Sequence, residues 1–168
     1  MQSNQVRMLK EFRAGEIEGV VVRVLKRFSD PRGWLTELFR DDELAPDFRP
    51  AMTYLSMTEP GVTRGPHEHV DQSDFFCFLG PSNFRLRMCD NRETSSSFGV
   101  MSTLTVGEIN PVSVLIPSGV VHGYQNVGSV AGLVINCPDQ LYMGVGKTKP
   151  IDEIRHEDDP NTIFRMND

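Results

Sequence analysis

Between residues 19 and 136 the chain keeps one rhythm: short runs rich in β-branched and aromatic residues, each cut off by Gly, Pro, Asn, Asp or Ser. β-Branched side chains fit a pleated sheet and the punctuating residues favour turns, so the rhythm predicts strands joined by tight connections. The expected strands are residues 19–28, 34–40, 51–57, 75–79, 84–89, 100–106, 113–116 and 131–136. Residues 29–33 and 80–83 read as turns, residues 91–98 (NRETSSSF) as a polar loop, and residues 41–45 as a short helical turn with an acidic start. No long stretch repeats apolar residues every 3.6 positions, so helices do not compete. Many short strands without an internal repeat favour an all-β closed barrel.

A length of 168 residues suits one domain, with the barrel over about 17–143 and a polar tail over 144–168 that packs on the barrel or on a second subunit. The net charge of −6 argues against nucleic acid as a partner, since such binders carry a basic stripe. A phosphorylated small molecule still fits, because local arginines bind phosphate inside an acidic protein. Cys77, Cys89 and Cys137 are odd in number and form no CxxC pair, so they read as buried, reduced thiols. The first residues lack the apolar core of a signal peptide, and no run reaches the ~20 apolar residues of a membrane helix. A cytoplasmic protein without membrane contact is expected.

Three of the four histidines fall in two short motifs. Gly65-Pro66-His67-Glu68-His69 is followed by Asp74 and Gly80, and Pro117-Ser118-Gly119-Val120-Val121-His122 is followed by Asn126. Residues i and i+2 of a strand share a face, so His67 and His69 can both point into a barrel. Asp74 can join them from the next strand, and the Pro117–Gly119 turn delivers His122 to the same interior. His156 lies in the charged tail and is given no role.

The order HxH, acidic residue, glycine, then PxGxxHxxxN resembles the two motifs of the cupins, which implies a double-stranded β-helix, or jelly-roll, fold. Asp74 stands where those motifs usually carry glutamate. Residues 28–39 (FSDPRGWLTELF) further resemble the F-x-D-x-R-G-x-F-x-E-x-F segment of dTDP-4-dehydrorhamnose 3,5-epimerases, and residues 61–67 (GVTRGPH) that family's G-V-L-R-G-L-H. Gln72, residues 90–92, residues 98–99 and residues 117–123 continue the match in order.

The resemblance implies isomerisation of a nucleotide-linked 4-keto-6-deoxysugar with no cofactor. His67 would be the base that removes a proton next to the ketone, and a neutral imidazole suits that task. Arg32 and Arg64 would contact diphosphate or sugar, with Glu37 and Gln72 also in substrate-binding positions and His122 facing the sugar. Trp34 and Phe39 would support the nucleotide base, although read unaided both are simply core. A homodimer exchanging residues 17–28 is also implied.

The departures carry their own expectations. The family's acid is a tyrosine in a D-Y-Y segment; here residues 139–141 read Asp-Gln-Leu, with Tyr142 one place later. Tyr124, two residues from His122, should share its inward face and is the surviving acid candidate. The aspartate that pairs with the family's base has no counterpart evident before Asp168. A family glutamine is replaced by His69 and a family lysine by Asp74. His67, His69, Asp74 and His122 together form a set suited to Zn, Fe, Mn or Ni, the alternative being that His69 and Asp74 only bond each other. The HxH pair also resembles the sugar-nucleotide 3,4-ketoisomerases, which need no metal. Three functions stay open: a sugar-nucleotide epimerase or isomerase, a metal-dependent cupin acting on another small molecule, and a non-catalytic cupin that binds sugar or nucleotide.

Overall fold

A computed structural model describes residues 12–166, so the reading of the first eleven residues as free of a leader, and the place of Asp168, lie outside the described residues. In chain order the strands are β1 (Arg13–Ala14), β2 (Val21–Val24), β3 (Phe28–Asp30), β4 (Gly33–Leu35), β5 (Tyr54–Thr58), β6 (Thr63–Glu68) and β7 (Asp74–Phe78). They continue with β8 (Asn83–Asp90), β9 (Val100–Gly107), β10 (Val112–Ile116), β11 (Val120–Asn126), β12 (Gly132–Asn136) and β13 (Ile154–Arg155). One sheet has the order β1-β9-β8-β11-β6-β13 and a second β2-β10-β7-β12-β5, with β3-β4 a separate hairpin. The pairings within the two large sheets are antiparallel except for β1 with β9. This is the jelly-roll architecture the motifs implied. No helix among the described residues is long and apolar enough to cross a membrane.

Strand β7 shows why the barrel needs cover on both sides. All five of its residues are buried, although a strand facing one core would alternate. Phe76 and Phe78 point inward to a cluster with Phe84, Leu86, Val114 and Tyr124. Phe75 and Cys77 point outward to Leu25, Phe48 and Cys137, backed by Leu38 and Leu44. The segment after β4 is therefore drawn over the outer sheet face, with Phe39 edge-on to Phe75 at 6.0 Å. This is the physical reason that residues 34–40, expected as one strand, pair only as far as Leu35. Likewise 19–28 divides into β2 and β3. Trp34 is not core: it is 52% exposed and lies against Arg27, whose guanidinium is 4.6 Å from the ring centroid.

The tail packs on the barrel of its own chain, one of the two places expected for it, and also contributes a strand. Within residues 144–168, β13 pairs with β6 and so completes the six-stranded sheet of its own chain. Farther on, Phe164 joins Cys89 and Val121 on that sheet's outer face. His156, assigned no role, hydrogen-bonds Glu68 at 2.9 Å and lies tilted against Phe164, with ring centroids 4.6 Å apart.

Candidate functional site

Two neighbouring strands build the site. In the β6–β11 pairing, His67 lies opposite His122 and Arg64 opposite Tyr124, so three residues of β6 span what two span on β11. This one-residue bulge lets both Arg64 and His67 face inward, which strict alternation would forbid. Gly65 makes it possible: its φ is +80°, and a Cβ there would lie 2.7 Å from the carbonyl oxygen of His122.

The imidazoles converge. Ring centroids are 4.6 Å apart for His67 and His122, 5.4 Å for His67 and His69, and 6.1 Å for His69 and His122. Asp74, 1% exposed, enters from β7, with its Oδ2 3.2 Å from His69 Nε2 and 3.1 Å from His122 Nε2. Its other oxygen accepts hydrogen bonds from Gln72 Nε2 (2.9 Å) and Asn136 Nδ2 (2.7 Å). The surroundings fix two ring tautomers, because carbonyl oxygens only accept: His122 Nδ1–H donates to Val120 at 2.9 Å, and His69 Nδ1–H donates to Asp152.

Burial lowers the basicity of His67 to about 2, reinforced by His122 and His69 beside it, so its ring is neutral. Burial opposes charge on His69 as well, but Asp74 outweighs it and draws the ring up to about 9. For Asp74, burial favours the neutral acid, yet the two imidazoles hold its carboxyl well below the usual carboxylate range.

His67 and His69 line a cavity of about 1410 Å³ with Arg64, Gln72 and Tyr124, whereas Asp74 and His122 lie behind them, outside its lining. Arg64 is anchored by Nε to Thr58 Oγ1 at 2.9 Å and by Nη2 to the Met57 carbonyl at 2.8 Å. Tyr124 shares a 2.9 Å hydrogen bond with Ser56 Oγ, and burial pushes its phenol above the usual range. Tyr54 also lines the cavity; burial pushes it to about 12, although its oxygen accepts from Asn136. Arg32 and Glu37 do not line this chain's cavity. The Arg32 side chain is 88% exposed and bound to Asp30, and Glu37 pairs with Arg40 at 3.5 Å.

Sequence reasoning missed the wall supplied by the tail. Glu153 Oε1 lies 3.7 Å from His67 Nδ1, a carboxylate against the base candidate where none was evident. Asp152 accepts the backbone N–H groups of Val70, Asp71 and Gln72 at 2.9, 2.9 and 2.8 Å. Lys147, Lys149 and Arg155 add positive charge to the lining. No strand pattern announced it, because the apolar residues of Ile-Asp-Glu-Ile-Arg at 151–155 are three apart and not two.

Known proteins share this sequence and fold. The sequence pattern of the family described as dTDP-4-dehydrorhamnose 3,5-epimerase matches residues 14–152. The probable low-salt glycan biosynthesis epimerase Agl13 of Haloferax volcanii is 39% identical over 128 residues, covering 75% of this chain and 81% of that protein. The spore coat polysaccharide biosynthesis protein SpsL of Bacillus subtilis is 38% identical over 71% of this chain and 78% of its own length. The crystal structure of a dTDP sugar isomerase from Desulfovibrio desulfuricans superposes with a TM-score of 0.71 at 23% identity, covering 83% of this chain and 84% of that one.

Proposed function

Because the chain belongs to the dTDP-4-dehydrorhamnose 3,5-epimerase family, we propose that it epimerises a dTDP-4-keto-6-deoxyhexose by moving a proton at a carbon next to the ketone. The observation that carries this reading is a neutral imidazole, His67, inside the cavity with the carboxylate of Glu153 at its Nδ1. His67 takes the proton through Nε2, the C–H electron pair moves into an enolate, and Glu153 steadies the imidazolium that forms. A base held so far below neutrality is intrinsically weak, so the nearby carboxylate matters to the reaction. Tyr124 returns a proton to the carbon: its raised phenol stays protonated and therefore remains a donor. His122, expected to face the sugar, is buried behind His67 and supports that ring, while Arg64 with the basic residues at 147, 149 and 155 provides charge for a diphosphate.

Arg32 and Glu37, on or just after the exposed β3–β4 hairpin, reach substrate only in an assembly, which fits a homodimer. Strand β2 is already paired with its own β10, which favours the hairpin over residues 17–28 as the exchanged element. A cytoplasmic setting agrees with three buried free thiols, two of which burial pushes to about 12.

The test is solvent exchange. In D₂O the wild type incorporates deuterium at C3 or C5 of dTDP-4-keto-6-deoxyglucose, read by NMR, and His67→Asn slows this by about 10²–10⁴-fold while keeping its circular dichroism. Unchanged exchange in that variant removes His67 as the base.

A further inference from the structure

Beyond the proton-transfer chemistry, one cluster in the cavity wall, with His69 on the lining and Asp74 and His122 buried behind it, leaves polar atoms unpartnered. Asp74 and His122 are 1% and 2% exposed, and their facing atoms, Asp74 Oδ2 and His122 Nε2, are both buried without a hydrogen-bond partner. They lie 3.1 Å apart, yet outside hydrogen-bonding geometry. His122 commits its N–H to the Val120 carbonyl, so its Nε2 presents a lone pair to a carboxylate oxygen. His69 brings a second imidazole to the same oxygen: Nδ1–H is held by the Asp152 carbonyl, and Nε2 lies 3.2 Å from Asp74 Oδ2, where a metal would take the place of its proton. Unpartnered buried polar atoms destabilise a fold, so these two facing acceptors need an explanation.

We propose that His69, His122 and Asp74 form a binding site for one first-row divalent transition metal. A cation placed between these three atoms turns the opposed lone pairs of His122 and Asp74 into ligands and displaces the proton from His69 Nε2. Imidazole Nε2 ligands whose Nδ1–H is held by a backbone carbonyl are the usual pattern of metal-bound histidine. The separations fit as well: ligands about 2.1 Å from a metal lie about 3.0–3.4 Å from each other in octahedral or tetrahedral sites, against the observed 3.1 and 3.2 Å. The donor atoms of these residues and His67 lie within 4.8 Å of one another. Asp74 is braced for the role by Gln72 and Asn136 on its other oxygen. The long 3.2 Å contact from Gln72 Nε2 to His69 Nε2 is the one a metal displaces. Two imidazoles and one carboxylate favour Fe, Mn, Co, Ni or Zn over Mg or Ca, and such a set leaves further coordination positions open. His67, with Glu153 on its Nδ1, is not required as a ligand. The site stands whether or not the protein is an epimerase.

The test titrates Co²⁺ into chelator-stripped, full-length protein and reads visible d–d absorption together with the bound stoichiometry. One cobalt per chain is expected, displaced by Zn²⁺, with His67→Asn binding like the wild type. His69→Gln and Asp74→Asn should weaken binding at least 100-fold, with circular dichroism checking that they fold. Absence of saturable binding by the wild type overturns the site, as does wild-type affinity in both ligand variants. A proton shared by His69 and Asp74 in place of a metal predicts the first of these results. Solvent exchange, measured separately on stripped protein, reports on the epimerase reading alone.

Discussion

Gly65 shows how one residue governs the chemistry of its neighbours. It lies between Arg64 and His67, has a left-handed φ, and packs under the carbonyl of His122. Gly65→Ala should therefore destabilise the fold by about 2 kcal/mol or more, through backbone strain and a clash that only strand separation relieves. A lowered denaturant midpoint with unchanged m-value checks this. Glu153 acts on the same histidine from the other side. Glu153→Gln should lower kcat by about 10²-fold with little change in KM. The base is active when neutral, so the rate rises with pH through its pKa. With that pKa at about 2, kcat should show no rising limb from His67 above about pH 5 in either protein, and an unchanged kcat in the variant separates Glu153 from proton transfer.

Among the elements, the loop over residues 91–98 is more ordered than its polar sequence suggests. Asp90, fully buried at the end of β8, accepts hydrogen bonds from Arg92 Nε (2.8 Å), Ser95 Oγ (2.6 Å) and Ser97 Oγ (2.5 Å). Burial pushes its carboxyl up, but these donors outweigh it and hold the group at about 2. An unfolded aspartate titrates near 3.9, so the native state favours the charged form and Asp90 contributes about 2 kcal/mol above that pH. The contribution is lost as pH falls through about 2. Urea denaturation between pH 5 and pH 2 should show this loss in the wild type and a flatter profile in Asp90→Asn. The C-terminal segment follows the same logic. Its acidic residues do not stay in solvent, because Asp152 satisfies three N–H groups of the loop after β6 and β13 hydrogen-bonds the edge of that strand.

At the scale of the molecule, two sheets enclose one core and extra segments cover both outer faces, yet apolar surface is left on one side. Phe28, Trp34 and Leu35 on the hairpin are 45%, 52% and 60% exposed, and Val24 on edge strand β2 is 77% exposed. An apolar hairpin beside an open sheet edge is a pairing surface. Trp34→Glu should convert the proposed dimer to a monomer in sedimentation velocity and reduce turnover with it, because Arg32 leaves the second cavity. A wild type that sediments as a monomer sinks this arrangement.

The sequence by itself determined the barrel and its histidines. Alternation and turn residues depend on neighbours a few positions away, and the two histidine motifs carry their own strand geometry. Only the tertiary structure decided where the tail runs, why residues 36–40 leave the sheet, and which carboxylate meets His67. Those outcomes depend on contacts between segments distant in the chain, such as Glu153 with His67 and Phe39 with Phe75. No local pattern encodes them, because burying an outer sheet face or pairing a buried imidazole is satisfied by whichever segment the completed fold brings within reach.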